Sequence, residues 1–185
     1  MSKFKKIEIG TYFNHRLFYP EEQLKDADVG LDKIIIIDSN NKIRNHDIID
    51  GIPFIFGYGK YDNLECGGQI IEINEHVKNL HIIGFYYWGD SEEIIRIIYN
   101  DGEQEGIGVP FINWGLKSKY DWRIECLGRE LVKSSLPMMA SGSYCGTVFF
   151  HHICIPLGKN KKVEKIVLPE DFMVHILAIT IEIDD

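Results

Sequence analysis

Four residues between positions 145 and 154 carry side chains that bind metal ions in other proteins. They are Cys145, His151, His152 and Cys154, within the stretch CGTVFFHHIC. In an extended strand His152 and Cys154 point to the same side, two residues apart, which suits a pair of metal ligands. His151 points to the opposite side, and the chain has no Cys-x-x-Cys pair of the zinc-ribbon type. The sequence therefore leaves two interpretations open, a metal-assisted site or two half-buried strand histidines.

A second group of residues suits the binding of sugars. Tyr86 and Trp88 lie in the stretch GFYYWGD, at the predicted end of a strand. Sugar rings expose C–H faces on which aromatic rings stack, and nearby carboxylates and amides bind the hydroxyl groups. Asp90 and Asn113 are candidates for that second task, and Tyr58 lies in a neighbouring loop.

The competing interpretation of these aromatics is ordinary core packing. Alternation along a strand sends Tyr86 and Trp88 to one face and Phe85 and Tyr87 to the other. We therefore predict that Tyr87 is buried and that Trp88 lies at the rim, because the Gly89-Asp90 turn follows at once and turns run along the surface. Trp114 and Trp122 are predicted to pack beneath loops.

The composition and punctuation of the chain predict an all-β fold. Isoleucine outnumbers alanine by 30 to three, and branched side chains favour strands. Turn-forming residues recur about every ten positions, as in a sandwich. We expect a two-sheet antiparallel β-sandwich with at most one or two short helices, the helical candidate being YPEEQLKDA. The predicted strands are 4–9, 33–37, 69–73, 80–88, 93–99, 121–126, 147–156, 162–167 and 173–183.

Several local features predict how these strands are arranged. Residues 80–88 and 93–99 are expected to pair as a hairpin through Gly89-Asp90, and Asp101-Gly102 marks another hairpin-type turn. Ile95, Ile97 and Tyr99 form the expected inward face of 93–99. Two glycines in the stretch GGQ predict a bend with positive φ, at which the glutamine satisfies backbone groups. The final strand is apolar on both faces, which predicts a central strand or a homodimer face.

Charge and motif content exclude several classes of function. The net charge of -8 and the lack of a basic patch argue against nucleic-acid binding. The chain shows no signal peptide and no membrane-spanning run, so we expect a single cytoplasmic domain over residues 1–185 with reduced cysteines. Phosphate-binding, dinucleotide-binding, metalloprotease and serine-hydrolase motifs are absent from the sequence.

The order of several short motifs resembles a known type of domain. DNLECGGQIIEI, then IIG, then IIYNDG resemble the jelly-roll (galactose-binding-like) accessory domain of bacterial glycoside hydrolases, of the arabinofuranosidase-associated type. FNHRLFYPEEQL and ICIPLGKNKKVEKIVLPEDFMVHILAITIE extend the resemblance over roughly residues 11–183. The aromatic stretch GFYYWGD departs from it, since the family usually has small residues there.

The resemblance implies a non-catalytic domain that binds carbohydrate or supports a glycosidase. Our first hypothesis is therefore a carbohydrate-binding or glycosidase-associated sandwich without a cofactor, whose partner is an oligosaccharide or a glycosidase. The alternative is a small cupin-like enzyme in which His151, His152 and Cys154 hold a metal.

Overall fold

A computed structural model shows an almost purely β fold, as the sequence predicts. It describes residues 3–19, 34–37, 48–57, 59–114, 132–142, 146–158 and 161–183. The helical candidate beyond Tyr19 and the predicted strand 121–126 lie outside these ranges, as do Tyr58, Trp122 and Cys145. Within them, no helix is long and apolar enough to cross a bilayer.

In the described part of the chain the strands are β1 Lys3–Ile7, β2 Phe18–Tyr19, β3 Ile34–Ile37, β4 Ile48–Ile49, β5 Ile52–Pro53, β6 Leu64–Glu65, β7 Ile70–Tyr86, β8 Ser91–Tyr99, β9 Gln104–Phe111, β10 Val132–Gly142, β11 Gly146–Pro156, β12 Lys162–Val167 and β13 Val174–Ile183. One 3₁₀ turn covers Gly10–Tyr12. Every described ladder is antiparallel except β2 with β3.

Strand β7 is shared by the two layers of the fold. Its first part, residues 70–76, pairs with β12, which continues to β8 and β9. Its second part, residues 77–86, pairs with β13 on one side and β11 on the other. The layer of β13, β7 and β11 extends through β10 to β3 and is joined by β1 and β6. Strand β7 therefore belongs to both sheets, and its ladders fix the register of its neighbours in each of them.

A β-bulge at Asn74 lies near the point where β7 passes from one layer to the other. The register between β7 and β12 shifts there, since Val163 pairs with Glu75 and Lys165 pairs with Glu72. Asn74 has a φ of 58°, in the left-handed region. Asparagine tolerates this conformation better than most residues, whereas branched side chains do not. The bulge bends the strand and increases its local twist.

We expect Asn74→Gly to keep the free energy of unfolding within about 0.5 kcal/mol and Asn74→Val to lower it by about 1–2 kcal/mol. Asn74 is exposed, so neither change removes buried contacts. Urea denaturation of the two variants measures the difference. Equal stability of the glycine and valine variants would contradict a backbone requirement at this position.

The predicted hairpin between 80–88 and 93–99 is wrong. The described ladder partners of β8 are β12 and β9, so β12 lies between β7 and β8. The turn at Gly89-Asp90 instead leads the chain from the layer of β13, β7 and β11 to the layer of β12, β8 and β9. The predicted strands 69–73 and 80–88 are also a single strand, β7. By contrast, the Asp101-Gly102 turn does join an antiparallel hairpin, β8 with β9.

The main core lies between the two layers. Ile95, Ile97 and Tyr99 of β8 are fully buried there, which confirms the predicted inward face. They share one cluster with residues of β13, such as Ile179 and Ile181. Burial of these side chains from both sheets provides the main driving force for the packing of the layers.

A second core covers the outer face of β13 and β7. It contains Phe18, Phe54, Phe85, Trp114 and Leu177, all buried within one chain. Strand β13 is therefore covered on both faces by its own chain, as a central strand. The apolar final strand no longer argues for a homodimer, which stays an untested prediction.

Candidate functional site

An open cleft of about 360 Å³ lies where the end of β7 approaches the start of β13. The residues that line it are His15, Glu65, Tyr87, Trp88, Phe172, Met173 and His175. Its wall is mainly aromatic and apolar, and its polar groups are two imidazoles and one carboxylate. Such a mixture is typical of sites for small molecules.

Two large aromatic side chains stand at the mouth of the cleft. Trp88 is 60% exposed and Phe172 is 62% exposed, although both are apolar. Tyr87 packs edge-on against Trp88 and stacks on the buried Trp114, with ring centroids 6.1 Å apart in both pairs. The indole of Trp114 in turn donates a hydrogen bond of 2.9 Å to the Tyr87 carbonyl. Tyr87 therefore anchors the Trp88 side of the cleft to the second core.

Asn63 organises the polar floor of the cleft. Its side chain is fully buried and accepts a hydrogen bond of 2.8 Å from Nδ1 of His175. Its amide group donates to Nδ1 of His15 (3.2 Å) and to Oδ1 of Asp62 (2.9 Å). Asp62 is fixed by the backbone N–H groups of Leu17 and Phe18. Burial raises the pKa of Asp62, although these hydrogen bonds act in the opposite direction.

This arrangement determines what the two histidines can offer to a ligand. Because Asn63 donates to Nδ1 of His15, the neutral form of that ring carries its proton on Nε2. Because Nδ1 of His175 donates to Asn63, its Nε2 is an acceptor. Burial, and the nearby His15, lower the pKa of His175 to about 3, so His175 is neutral at physiological pH. The cleft therefore presents one imidazole donor and one imidazole acceptor.

The third polar group, Glu65, is held in place through its backbone. Asn14 bonds both the N–H and the carbonyl of Glu65, and the Gln69 amide donates to the same carbonyl. Gln69 also accepts a hydrogen bond from Gly67, and Gly68 has a φ of 76°. The predicted bend at GGQ is thus confirmed, with the glutamine satisfying backbone groups.

The sequence-predicted binding residues do not all meet in this cleft. Trp88 lines it at the rim, whereas Tyr86 is directed elsewhere and donates a hydrogen bond of 2.8 Å to Asp171. Asp90 accepts the backbone N–H of Asn113 (2.8 Å), so these two residues contact each other and support the turn after Trp88. Their part in binding stays a prediction.

The prediction that Tyr87 is buried holds only in part. Tyr87 is half-buried, because one side of its ring packs against Trp114 while the side chain also lines the cleft. Trp114 itself is buried, as predicted.

The candidate metal ligands are divided between the two faces of β11. His151 lies on the inner face, where its Nε2 donates to the Asn113 carbonyl (3.2 Å) and burial lowers its pKa to about 4. His152 and Cys154 lie on the other face; His152 bonds His81 (3.1 Å) and Asp50 (3.2 Å). Among the described residues, no three metal-binding side chains converge on one point.

The floor of the cleft was missed by reasoning from the sequence. His15, Asn63 and His175 are separated by 48 and 112 positions, so no local spacing links them. The signal available was the Asp62-Asn63 pair, whose buried polar side chains require partners. Phe172 was missed because a single aromatic beside a turn is common in proteins.

Comparison with known proteins agrees with the architecture. No curated protein matches the chain. The matching family description names a β-sandwich domain, which confirms the sandwich part of the sequence resemblance and leaves the link to glycoside hydrolases as a prediction. Residues 5–185 match the model of the AziU2-like beta-sandwich domain, and the chain therefore belongs to that family.

Proposed function

We propose that this protein is a non-catalytic carbohydrate-binding β-sandwich whose binding site is the cleft beside Trp88. The observation that carries the proposal is the pair of exposed aromatic side chains, Trp88 and Phe172, at the mouth of a cleft with a polar floor. Leaving large apolar rings in water is unfavourable, so exposed rings beside a cleft are typical of ligand sites.

The polar floor suits hydroxyl groups. A sugar hydroxyl both donates and accepts hydrogen bonds, and Nε2–H of His15 and Nε2 of His175 offer one partner of each kind. The aromatic rings supply the surface on which the C–H face of a sugar ring stacks. Volume supports the same class of ligand, since clefts of about 300–1,000 Å³ hold small molecules in other proteins.

The alternative of a metal-dependent enzyme receives less support. His151 and His152 lie on opposite faces of β11, so one ion cannot bind both side chains without a rearrangement of the strand. The described residues also offer no converging set of three ligands. Elemental analysis of the purified protein tests this alternative directly, since stoichiometric zinc, iron or manganese would favour it.

Trp88→Ala is expected to weaken oligosaccharide binding at least about tenfold while changing the free energy of unfolding by less than about 0.5 kcal/mol. The ring is exposed, so its removal costs contact with the ligand and little packing. Isothermal titration calorimetry with hexamers of xylose, glucose and N-acetylglucosamine measures binding, and thermal unfolding measures stability.

Tyr61→Ala provides the matched control. Tyr61 is 41% exposed but does not line the cleft, and it packs beneath the Lys60 ammonium group. Its replacement should leave binding unchanged. The proposal fails if the wild-type protein binds none of the oligosaccharides, or if the Trp88 variant binds them as well as the wild type.

A further inference from the structure

The charge of the cleft indicates which carbohydrates fit it best. The described residues that line it include one carboxylate, that of Glu65, and neither lysine nor arginine. Within the described part of the chain, the Glu65 carboxylate has no hydrogen bond or ion pair, because the contacts of this residue involve its backbone. Because the backbone of Glu65 is fixed and its carboxylate has no cationic partner among the described residues, that carboxylate is available to a ligand.

Further carboxylates lie around the same corner of the fold. Burial raises the pKa of the Cys66 thiol. The negative charges of Asp171, Glu65 and Glu93 raise that pKa further. Asp171 directly precedes Phe172 at the mouth of the cleft. These described carboxylates contribute a negative potential to this corner, in a protein whose net charge is already -8.

The aromatic rings also favour a positively charged ligand. A cation placed over the face of a tryptophan, tyrosine or phenylalanine ring is attracted by the electrons of that ring. Trp88, Tyr87 and Phe172 offer such faces beside Glu65. The ammonium group of an amino sugar would combine both interactions, while its hydroxyl groups bind His15 and His175.

We propose that the cleft selects amino sugars over neutral sugars, with Glu65 as the residue that binds the ammonium group. This inference rests on the proposed carbohydrate binding and adds a charge preference to it. The preference follows from a charge-assisted hydrogen bond, which is stronger than a hydrogen bond between neutral groups.

Two hexamers with the same backbone test the inference. The glucosamine hexamer carries free amines and the N-acetylglucosamine hexamer carries neutral amides. In mildly acidic buffer of low ionic strength, calorimetry is expected to show about tenfold tighter binding of the glucosamine hexamer. Glu65→Gln is expected to remove this preference, so that the two hexamers bind with similar affinity.

Glu72→Gln is the control for general electrostatic attraction. Glu72 is exposed on the outer face of β7 and does not line the cleft, so its replacement changes net charge equally and should keep the preference. Thermal unfolding verifies that both variants are folded.

Three results would overturn the inference, and they are distinguishable. If both hexamers bind equally, carbohydrate binding stands and the amino-sugar preference is wrong. If the preference survives in Glu65→Gln, or falls equally in Glu72→Gln, it arises from net charge and Glu65 does not bind the ammonium group. If neither hexamer nor any neutral oligosaccharide binds, the proposed function itself is wrong.

Discussion

Replacing Phe85 by alanine is expected to lower the free energy of unfolding by about 3–5 kcal/mol, the usual cost of deleting a buried aromatic ring. Phe85 is 1% exposed and lies in the second core. Its ring stacks on His175 with centroids 4.9 Å apart and packs against Phe150 at 5.4 Å. The variant would leave a cavity between β7, β11 and β13, which these rigid neighbours cannot fill. For a chain of this length, the melting temperature should fall by about 6–20 °C.

Phe172→Ala is the matched control, because the same side chain is deleted at a position that is 62% exposed. Its free energy of unfolding should change by less than about 0.5 kcal/mol. Denaturant titration of both variants provides the comparison. Similar losses at the two positions would contradict the view that the outer face of β13 is covered by its own chain.

Mild acid is expected to destabilise the protein through three buried histidines. Burial lowers the pKa of His81 and of His151 to about 4 and that of His175 to about 3, from an ordinary value of 6.5. The unfolded chain therefore binds protons between these values while the folded chain does not. Stability is fully present above pH 6.5 and is lost as the pH falls towards the folded pKa values. Each histidine contributes a slope of about 1.4 kcal/mol per pH unit, or about 4.1 for the three together.

The free energy of unfolding, measured in urea between pH 7 and pH 5, tests this expectation. His151→Gln should reduce the slope by about one third, since glutamine keeps a donor for the Asn113 carbonyl and does not titrate. His76→Gln is the control, because His76 is exposed on β7 and its replacement should leave the slope unchanged. A wild-type slope near zero would show that none of the three buried histidines is protonated on unfolding.

The parts of the fold that depend on neighbouring residues were predictable from the sequence. Alternation of Ile95, Ile97 and Tyr99 identified the inner face of β8, and Asp101-Gly102 identified its hairpin with β9. Gly89-Asp90 identified a turn as well. However, a turn signal does not specify which strands pair, and β12, which follows some 60 residues later in the chain, lies between β7 and β8.

Of the residues in the candidate site, only Trp88 was predicted from the sequence. An aromatic run followed by a turn indicated that it lies at the rim. Tyr86 was assigned to the same side by strict alternation, but β7 ends at Tyr86, so the period of two does not continue to Trp88. The polar floor depends on Asn63 meeting two distant histidines. Composition and spacing carry no information about these contacts, because they form only once β13 has paired with β6 and His15 has paired with Asn63.

The pairing of β1 with β13 has a consequence for folding kinetics. Lys3 is opposite Ile183 in that ladder, so residues nearly the whole chain apart must meet. Proteins rich in such non-local pairs have a high contact order and fold in milliseconds to seconds rather than microseconds. The cleft shares this dependence, since it needs His15 from one end of the sequence and His175 from the other. During synthesis a nascent chain that stops short of β13 has no cleft floor, so we expect ligand binding to appear only after the last sheet strand has docked.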